Sequence, residues 1–410
     1  MVRKLNILII FLFSFSFAYS QDDFNEYMTA ISDIHYKRYE KVEKELLNLI
    51  LNDNSNANYY MTLGECFFIQ GKYEQAAKLY KSAMNNKKKK AIYKIAECYS
   101  KIDSTDKAIE YLKIYLKTKD KLLQSEIKLN PNFKNIENSK AWHSLWKTEF
   151  YNKTEKKLSE AKYLISKEDY VNAFDILDKL IIQNNRRHRA YEMRGDLLMI
   201  KGEFKNATNS YIKASEIKVR NSFYKEKIAK AYFKDKNYKK SLKFCNEAIK
   251  ENPYNETTYL LKAQNLLFLK KYNRSKDITD LILKYYPDND EALNIAGLCL
   301  YNKKDYIKAL EKYNVLLSDN EHVKTLQAKS PKPDYYINRA DAYMAVSMYE
   351  NVIKDLSMAL DLNPKLPEVY YKRGIAKVKA NKKVEACYDF KFAYSKGYYK
   401  ASDMLLKYCR

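Results

Sequence analysis

Glycine and proline are scarce in this chain. Only seven of each occur in 410 residues, where average usage would give roughly four times as many Gly and three times as many Pro. Sheets joined by tight turns and glycine-rich phosphate loops need those residues, so a Rossmann or P-loop domain and an all-β sandwich are excluded. Tryptophan occurs twice and histidine four times. No Cys-x-x-Cys, His-Glu-x-x-His or Gly-x-Ser-x-Gly is present, which leaves zinc sites and serine-hydrolase elbows without their minimal parts. What is abundant is apolar material at 46% and charge at 31%. That is enough to build a core, and it points to α-helices joined by short polar turns.

Charge is lopsided, with 75 Lys and Arg against 51 Asp and Glu, a formal +24. Such an excess would suit a nucleic acid or an anionic surface. Acids are nevertheless interspersed nearly everywhere, and no long one-sign block occurs beyond Lys87 to Lys90. The excess accompanies heavy use of Lys, Asn, Ile and Tyr, a composition that an AT-rich genome imposes. No nucleic-acid partner is expected.

Residues 1–20 read as an export signal. A basic start, Arg3-Lys4, precedes the apolar run Leu5 to Phe17. Ala18-Tyr19-Ser20 then offers small residues before the polar Gln21-Asp22-Asp23. The run is too short to span a bilayer comfortably, and no later segment is apolar enough to be a transmembrane span. A mature chain starting at Gln21 is expected, exported to a periplasm or outside the cell.

Self-comparison reveals a period of 34. Gly64, Gly195, Gly297 and Gly374 each follow Tyr60, Tyr191, Leu293 or Tyr370 by four residues. About twelve residues on stand Ala76, Ala207, Ala309 and Ala386, and four further Tyr80, Tyr211, Tyr313 and Phe390. This pattern resembles the tetratricopeptide repeat (TPR), a pair of antiparallel helices A and B with small residues at positions 8 and 20, an aromatic at 17, a large residue at 24, Ala at 27 and Pro near 32. In that register, repeats begin at Asp23, Ala57, Lys89, Thr154, His188, Ser222, Glu256, Asp290, Pro333 and Pro367. Position 8 is small in all ten (Ala30, Gly64, Ala96, Ala161, Gly195, Ala229, Ala263, Gly297, Ala340, Gly374), and position 17 is aromatic in eight.

The resemblance implies an all-α solenoid of about ten helix-turn-helix repeats, wound as a right-handed superhelix. Small residues where A and B cross let the backbones approach, and a larger side chain there would overpack at about 1–3 kcal/mol. No repeat buries its face alone, so stacking makes the core. The expected organisation is a signal at 1–20, a block of three repeats at 21–120, a closing or hinge segment at 121–153 and a block of seven repeats at 154–410. The second block carries a loop at 320–332 and a capping helix at 397–410. The closing segment contains Asn130-Pro131-Asn132-Phe133 and both tryptophans, Trp142 and Trp146.

Catalytic chemistry finds no foothold. His35, His143, His188 and His322 fall in different repeats or insertions, and no metal, cofactor or enzyme activity is expected. Asp169 and Asp305 precede position-17 aromatics, where an acid helps start helix B. Cys66, Cys98 and Cys299 share position 10. Equivalent points on neighbouring helices are about 8–10 Å apart, beyond the roughly 7 Å Cα separation a disulfide tolerates. These three and Cys245, at position 24, read as core residues. Cys387, in the last helix B, and Cys409, in the capping helix that folds back on it, are candidates for a disulfide. The chain end and the Ser-Gln cleavage point resemble those of exported TPR proteins from Bacteroidetes-like bacteria.

In the TPR family helix A lines a concave groove through positions 2, 5, 9, 12 and 13. One known use is a clamp for a peptide carboxylate, with Asn at position 9. Position 9 here holds Ile31, Glu65, Glu97, Lys162, Asp196, Lys230, Gln264, Leu298, Asp341 and Ile375, and that clamp is not expected. The candidate partner-binding groove comprises Arg189, Glu192, Asp196, Phe233, Lys234, Leu267, Phe268 and Tyr301, apolar residues beside charge that suit an extended segment or an amphipathic helix. For Phe233, Phe268 and Tyr301, packing against helix A of the next repeat is the competing role. The resemblance implies a protein-interaction scaffold of the cell envelope. The alternative is a glycan- or cell-wall-binding accessory protein, which would need exposed aromatic platforms.

Overall fold

A computed structural model describes residues 22–119, 121–219, 221–318 and 332–409. The signal expected at 1–20 and the loop expected at 320–332, save Lys332, lie outside the described residues. Among the described residues every regular element is helical and none is a strand. The chain divides between Lys218 and Val219 into two compact units.

In the first unit, successive A/B pairs are α1 (22–35) with α2 (Tyr39–Asn52), α3 (Ala57–Ile69) with α4 (Tyr73–Asn85), and α5 (Lys90–Lys101) with α6 (Thr105–Leu116). After a segment with the short helices α7 (Gln124–Lys128), a 3-10 turn at Pro131–Phe133 and α8 (Lys140–Leu145) come two further pairs. These are α9 (Lys153–Ser166) with α10 (Tyr170–Gln183), and α11 (His188–Ile200) with α12 (Phe204–Ile217). The second unit holds α13 (Ser222–Lys234) with α14 (Tyr238–Glu251), α15 (Glu256–Phe268) with α16 (Tyr272–Tyr285), and α17 (Asp290–Asn302) with α18 (Tyr306–Leu316). It continues with α19 (Pro333–Ala345), α20 (Tyr349–Leu362), α21 (Pro367–Lys379), α22 (Lys383–Ser395) and α23 (Ala401–Tyr408). The position-17 aromatics Tyr39, Tyr73, Tyr170, Phe204, Tyr238, Tyr272, Tyr306 and Tyr349 are each the first residue of a B helix.

The crossing of A and B is as tight as the small residues require. A Cβ added to Gly195 would lie 2.5 Å from the Tyr211 ring, and one at Gly297 would lie 2.6 Å from Tyr313. Every position-8 glycine faces an aromatic at 24, whereas the position-8 alanines stand opposite Leu46, Leu112, Leu177, Cys245, Thr279 or Leu356. Arginines at position 7 latch the helices together. Arg339 forks onto Asp355 at 2.7 and 2.8 Å, and Arg373 onto Asp389 at 2.7 and 3.0 Å. Asn side chains cap several A helices, including Asn56, Asn221, Asn255 and Asn289. Of the two acids expected to start B helices, Asp169 accepts the Asn172 N–H, while Asp305 makes no cap bond and pairs instead with Lys308 at 3.1 Å.

Every A–B turn also has one residue in the left-handed region, at position 15. Two of these are Gly71 and Gly202, and the others are Lys37, Asp103, Glu168, Lys236, Lys270, Lys304, Ser347 and Asn381, with φ between 56° and 64°. Two backbone bonds hold the turn, as in Gly71 N–H to Phe68 O and Lys72 N–H to Phe67 O, the C-terminal arrangement that demands positive φ.

At the chain end α23 packs Met404 and Leu405 onto a cluster with Ala386, Phe390, Ala393 and Ala401. Cys387 and Cys409 are joined in a disulfide, their Cα atoms 5.6 Å apart. Cys66, Cys98, Cys245 and Cys299 are free and buried.

Candidate functional site

A helices touch the A helix of the following repeat, α9 to α11 in the first unit and α13 to α15 to α17 to α19 in the second. They form the inner row of each unit, and their positions 2, 5, 9, 12 and 13 are where a ligand would lie.

In the first unit much of that row is already engaged by the chain itself. Asn130 donates to the Tyr93 hydroxyl at 2.6 Å and to Glu97 at 2.7 Å, and Asn132 donates to Glu97 at 3.1 Å. Tyr93 and Glu97 are positions 5 and 9 of the third repeat, and both are buried. Phe133 sets its ring edge-on to Tyr93 at 5.6 Å. In the fourth repeat, Lys162 at position 9 pairs with Glu126 of α7. Leu123 packs with Leu158 and Ala161. Phe133, Ile136, Trp142, Leu145 and Tyr151 are buried in one cluster with α5 and α6. The segment 121–153 therefore lies on the A face of repeats three and four as a packed covering. Both tryptophans belong to it: Trp142 is buried, and Trp146 packs on Trp142 at 5.4 Å with Lys128 Nζ over its ring. Trp142 offers no platform for a sugar ring, and Trp146 is half-buried.

Three of the expected groove residues sit on α11 in this unit, all half-buried. Arg189 donates to the Lys121 carbonyl at 2.6 Å, so it holds the covering segment. Asp196 accepts the Tyr211 hydroxyl at 2.6 Å. The same 24-to-9 bond recurs between Tyr80 and Glu65 at 2.9 Å. Burial, reinforced by the adjacent Asp196 carboxylate, raises the Tyr211 phenol pKa well above its ordinary range, so it stays a proton donor. Asp196 thus serves the A–B crossing. Glu192 lies on the same face.

The other five fall in the second unit. Phe233 is half-buried against Ala229, Cys245 and Leu261, the last on helix A of the next repeat. Leu267 packs toward Ile295 and Cys299. Tyr301 packs with Leu300, Tyr313 and Ala342, its ring 5.5 Å from Tyr306. Burial, then Asp341, raises the pKa of its phenol. Phe233 and Tyr301 therefore do pack on the following repeat, as the competing role anticipated. Phe268 does not: 53% of it is exposed. Its ring stacks on Tyr238 at 4.7 Å with planes 7° apart, and it meets Phe233 edge-on at 5.7 Å. Tyr238 closes the trio, 5.6 Å from Phe233. Lys234 is exposed.

Tyr238 was missing from the sequence-derived groove. Position 17 is half-buried in every repeat that has an aromatic there, and what sets Tyr238 apart is the aromatic at position 13 of the next repeat, Phe268, on which it stacks. Among the described residues no group of three or more His, Cys, Asp or Glu side chains gathers as metal ligands, and no helix is long and apolar enough to cross a membrane.

Comparison with known proteins places this geometry. A family model for the tetratricopeptide repeat matches residues 188–218, and one described as anaphase-promoting complex, cyclosome, subunit 3, matches residues 44–114. The TPR repeat-containing protein MJ1428 of Methanocaldococcus jannaschii is 22% identical over 342 residues, 81% of this chain and 57% of that protein. The human DnaJ homolog subfamily C member 7 is 26% identical over 174 residues, 40% of this chain and 35% of its own. The chain thus spans little more than half the length of the first of these curated relatives, and about a third of the other. Among solved structures, a tetratricopeptide repeat protein from Parabacteroides merdae superposes with a TM-score of 0.50 at 20% identity, covering 63% of this chain and 99% of that one.

Proposed function

We propose that this chain, a tetratricopeptide-repeat protein, is a non-catalytic scaffold of the cell envelope that binds a partner protein segment on the A-helix face of its second unit. One observation carries the reading: Phe268 leaves more than half of its surface in solvent while stacked on Tyr238 and touching Phe233. An aromatic held rigid and wet is costly for folding and useful for binding, because it supplies apolar area with little entropy left to lose. The corresponding face of repeats three and four is covered by residues 121–153, and no such segment covers the A helices of repeats six and seven among the described residues. Export is supported by the basic, apolar and small-residue succession over 1–20 and by the disulfide between Cys387 and Cys409, a bond that oxidising compartments favour.

The test is crosslinked capture from the envelope fraction, with the mature protein identified by N-terminal sequencing from Gln21. Phe233→Ala combined with Phe268→Ala abolishes capture of the main partner and leaves helicity intact, whereas charge reversal of Lys87 to Lys90 does far less. Normal capture by the aromatic variant, with failure of the lysine variant, overturns the groove and makes binding electrostatic and elsewhere. A chain that begins at Met1 in secreted material removes the export claim.

A further inference from the structure

The aromatic trio stands in a cationic setting. Residues 222–251 contain nine Lys against four acids. Lys234 follows Phe233 directly at the end of α13, and Lys270 and Lys271 form the turn just beyond Phe268. All three lysines are exposed, and none makes an ion pair among the described residues. The acids nearby are otherwise disposed. Glu226 is engaged by Lys230, by Asn255 at 2.6 Å and by Thr257 at 3.2 Å. Asp235 is half-buried in the turn between α13 and α14. Some lysines of this unit are neutralised locally, as Lys225 is by Glu247 at 3.1 Å and Lys372 by Asp341 at 3.0 Å, and others, such as Lys239, Lys243 and Lys304, are exposed without an ion pair among the described residues. Lys234, Lys270 and Lys271 are exposed lysines that stand close to Phe233 and Phe268 in the chain. The corner of repeats six and seven is thus an apolar platform with uncompensated positive charge along its edge.

We infer that the segment docking on Phe233, Tyr238 and Phe268 is acidic, an extended peptide that lays an aromatic or large aliphatic side chain on the Phe268–Tyr238 stack and sets its carboxylates against Lys234, Lys270 and Lys271. The inference rests on the groove reading above and adds the chemistry of the partner. Burial of the anchor supplies affinity. The lysines supply register and a fast, salt-dependent encounter. A neutral apolar segment would leave three ammonium groups facing its backbone without partners, and a basic one would be repelled, so the edge selects as well as attracts. The arrangement differs from a terminal-carboxylate clamp. It lacks the position-9 Asn of such a clamp, Lys230 and Gln264 standing there instead, and it reads side-chain carboxylates along a segment.

Fluorescence anisotropy on the full mature protein tests this with defined probes. These are a labelled decapeptide carrying two Phe among Asp and Glu, the same peptide with Ala for Phe, the same with Lys for each acid, and polyglutamate. The Phe-containing acidic peptide binds, the Ala and Lys versions bind about tenfold more weakly or worse, and its affinity falls with salt. Phe268→Ala, a change at an exposed ring that spares the core, weakens it about tenfold. Lys234→Glu with Lys270→Glu and Lys271→Glu weakens it as much and abolishes the salt dependence. Equal binding of the Lys version, or polyglutamate binding that ignores Phe268→Ala, overturns the inference. The two readings separate cleanly. If envelope capture is lost in the aromatic variant but the acidic peptide does not bind, the groove stands and the acidity falls. If capture survives the aromatic variant, both fall.

Discussion

A residue such as Gly297 is explained by one ring. Its hydrogen is replaced at every alanine repeat by a methyl, and what permits or forbids the methyl is the side chain at position 24. Tyr313 presses on Gly297 as Tyr211 presses on Gly195, yet the two tyrosines differ at their far ends. The Tyr211 hydroxyl reaches Asp196. In the eighth repeat position 9 is Leu298, and the Tyr313 hydroxyl is fully buried with no hydrogen-bond partner among the described residues. A polar group desolvated without compensation costs about 1–3 kcal/mol, and a satisfied one contributes about 1 kcal/mol. Tyr313→Phe should therefore leave stability unchanged or raise it by about 1 kcal/mol, while Tyr211→Phe lowers it by a similar amount. Chemical denaturation of the two variants reads this directly. A Tyr313→Phe protein less stable than wild type would mean that the hydroxyl is satisfied after all.

At the scale of the element, the helix pair was legible in the sequence because its determinants recur in phase. Position 8 is small, 17 is aromatic and 24 is large, and each lies on a face that must meet another helix. The A–B turn was legible only at Gly71 and Gly202, because the other eight repeats put Lys, Asp, Glu, Ser or Asn into the same left-handed conformation. Capping bonds and packing override the local preference there. That override has a cost of about 1–2 kcal/mol for a residue with a Cβ, partly returned on replacement by the greater unfolded-state freedom of glycine. Lys304, exposed at φ 64°, is a clean place to measure it. Lys304→Gly should stabilise by about 0.5–1 kcal/mol in thermal or urea unfolding, and a loss would show that the lysine side chain holds the turn. That residues 121–153 close a group of repeats was legible, but the helix face they cover was not, for a different reason. Asn130 and Glu97, or Arg189 and the Lys121 carbonyl, are remote in sequence, and nothing periodic announces a pairing between a loop and a helix face. The same blindness placed Arg189 and Asp196 among groove residues when both have internal partners. It also overlooked Tyr238, whose stack with Phe268 crosses a repeat boundary.

Across the whole molecule, six cysteines fall into two kinds. Cys387 and Cys409 tie the last helix to the array. The remaining four are free and sealed in helix-pair cores. Burial pushes the Cys98 and Cys245 thiols up to about 12 and raises those of Cys66 and Cys299. A raised thiol pKa means less thiolate at any working pH, and the thiolate is the species that attacks disulfides and thiol reagents. Under the export proposed above this matters for fidelity, since four reactive thiols beside one disulfide would invite exchange. Burial and the raised pKa act together, one barring the reagent and the other withholding the nucleophile. The expected thiol count by a coloured disulfide reagent at pH 8 is consequently none in the native protein, four after denaturation without reductant, and six after denaturation with it. Six free thiols without reductant would dissolve the Cys387–Cys409 bond and weaken the argument for an oxidising compartment. Rapid labelling of the native protein would place one of the four core cysteines outside its helix-pair core, and the repeat containing it would have to be re-registered.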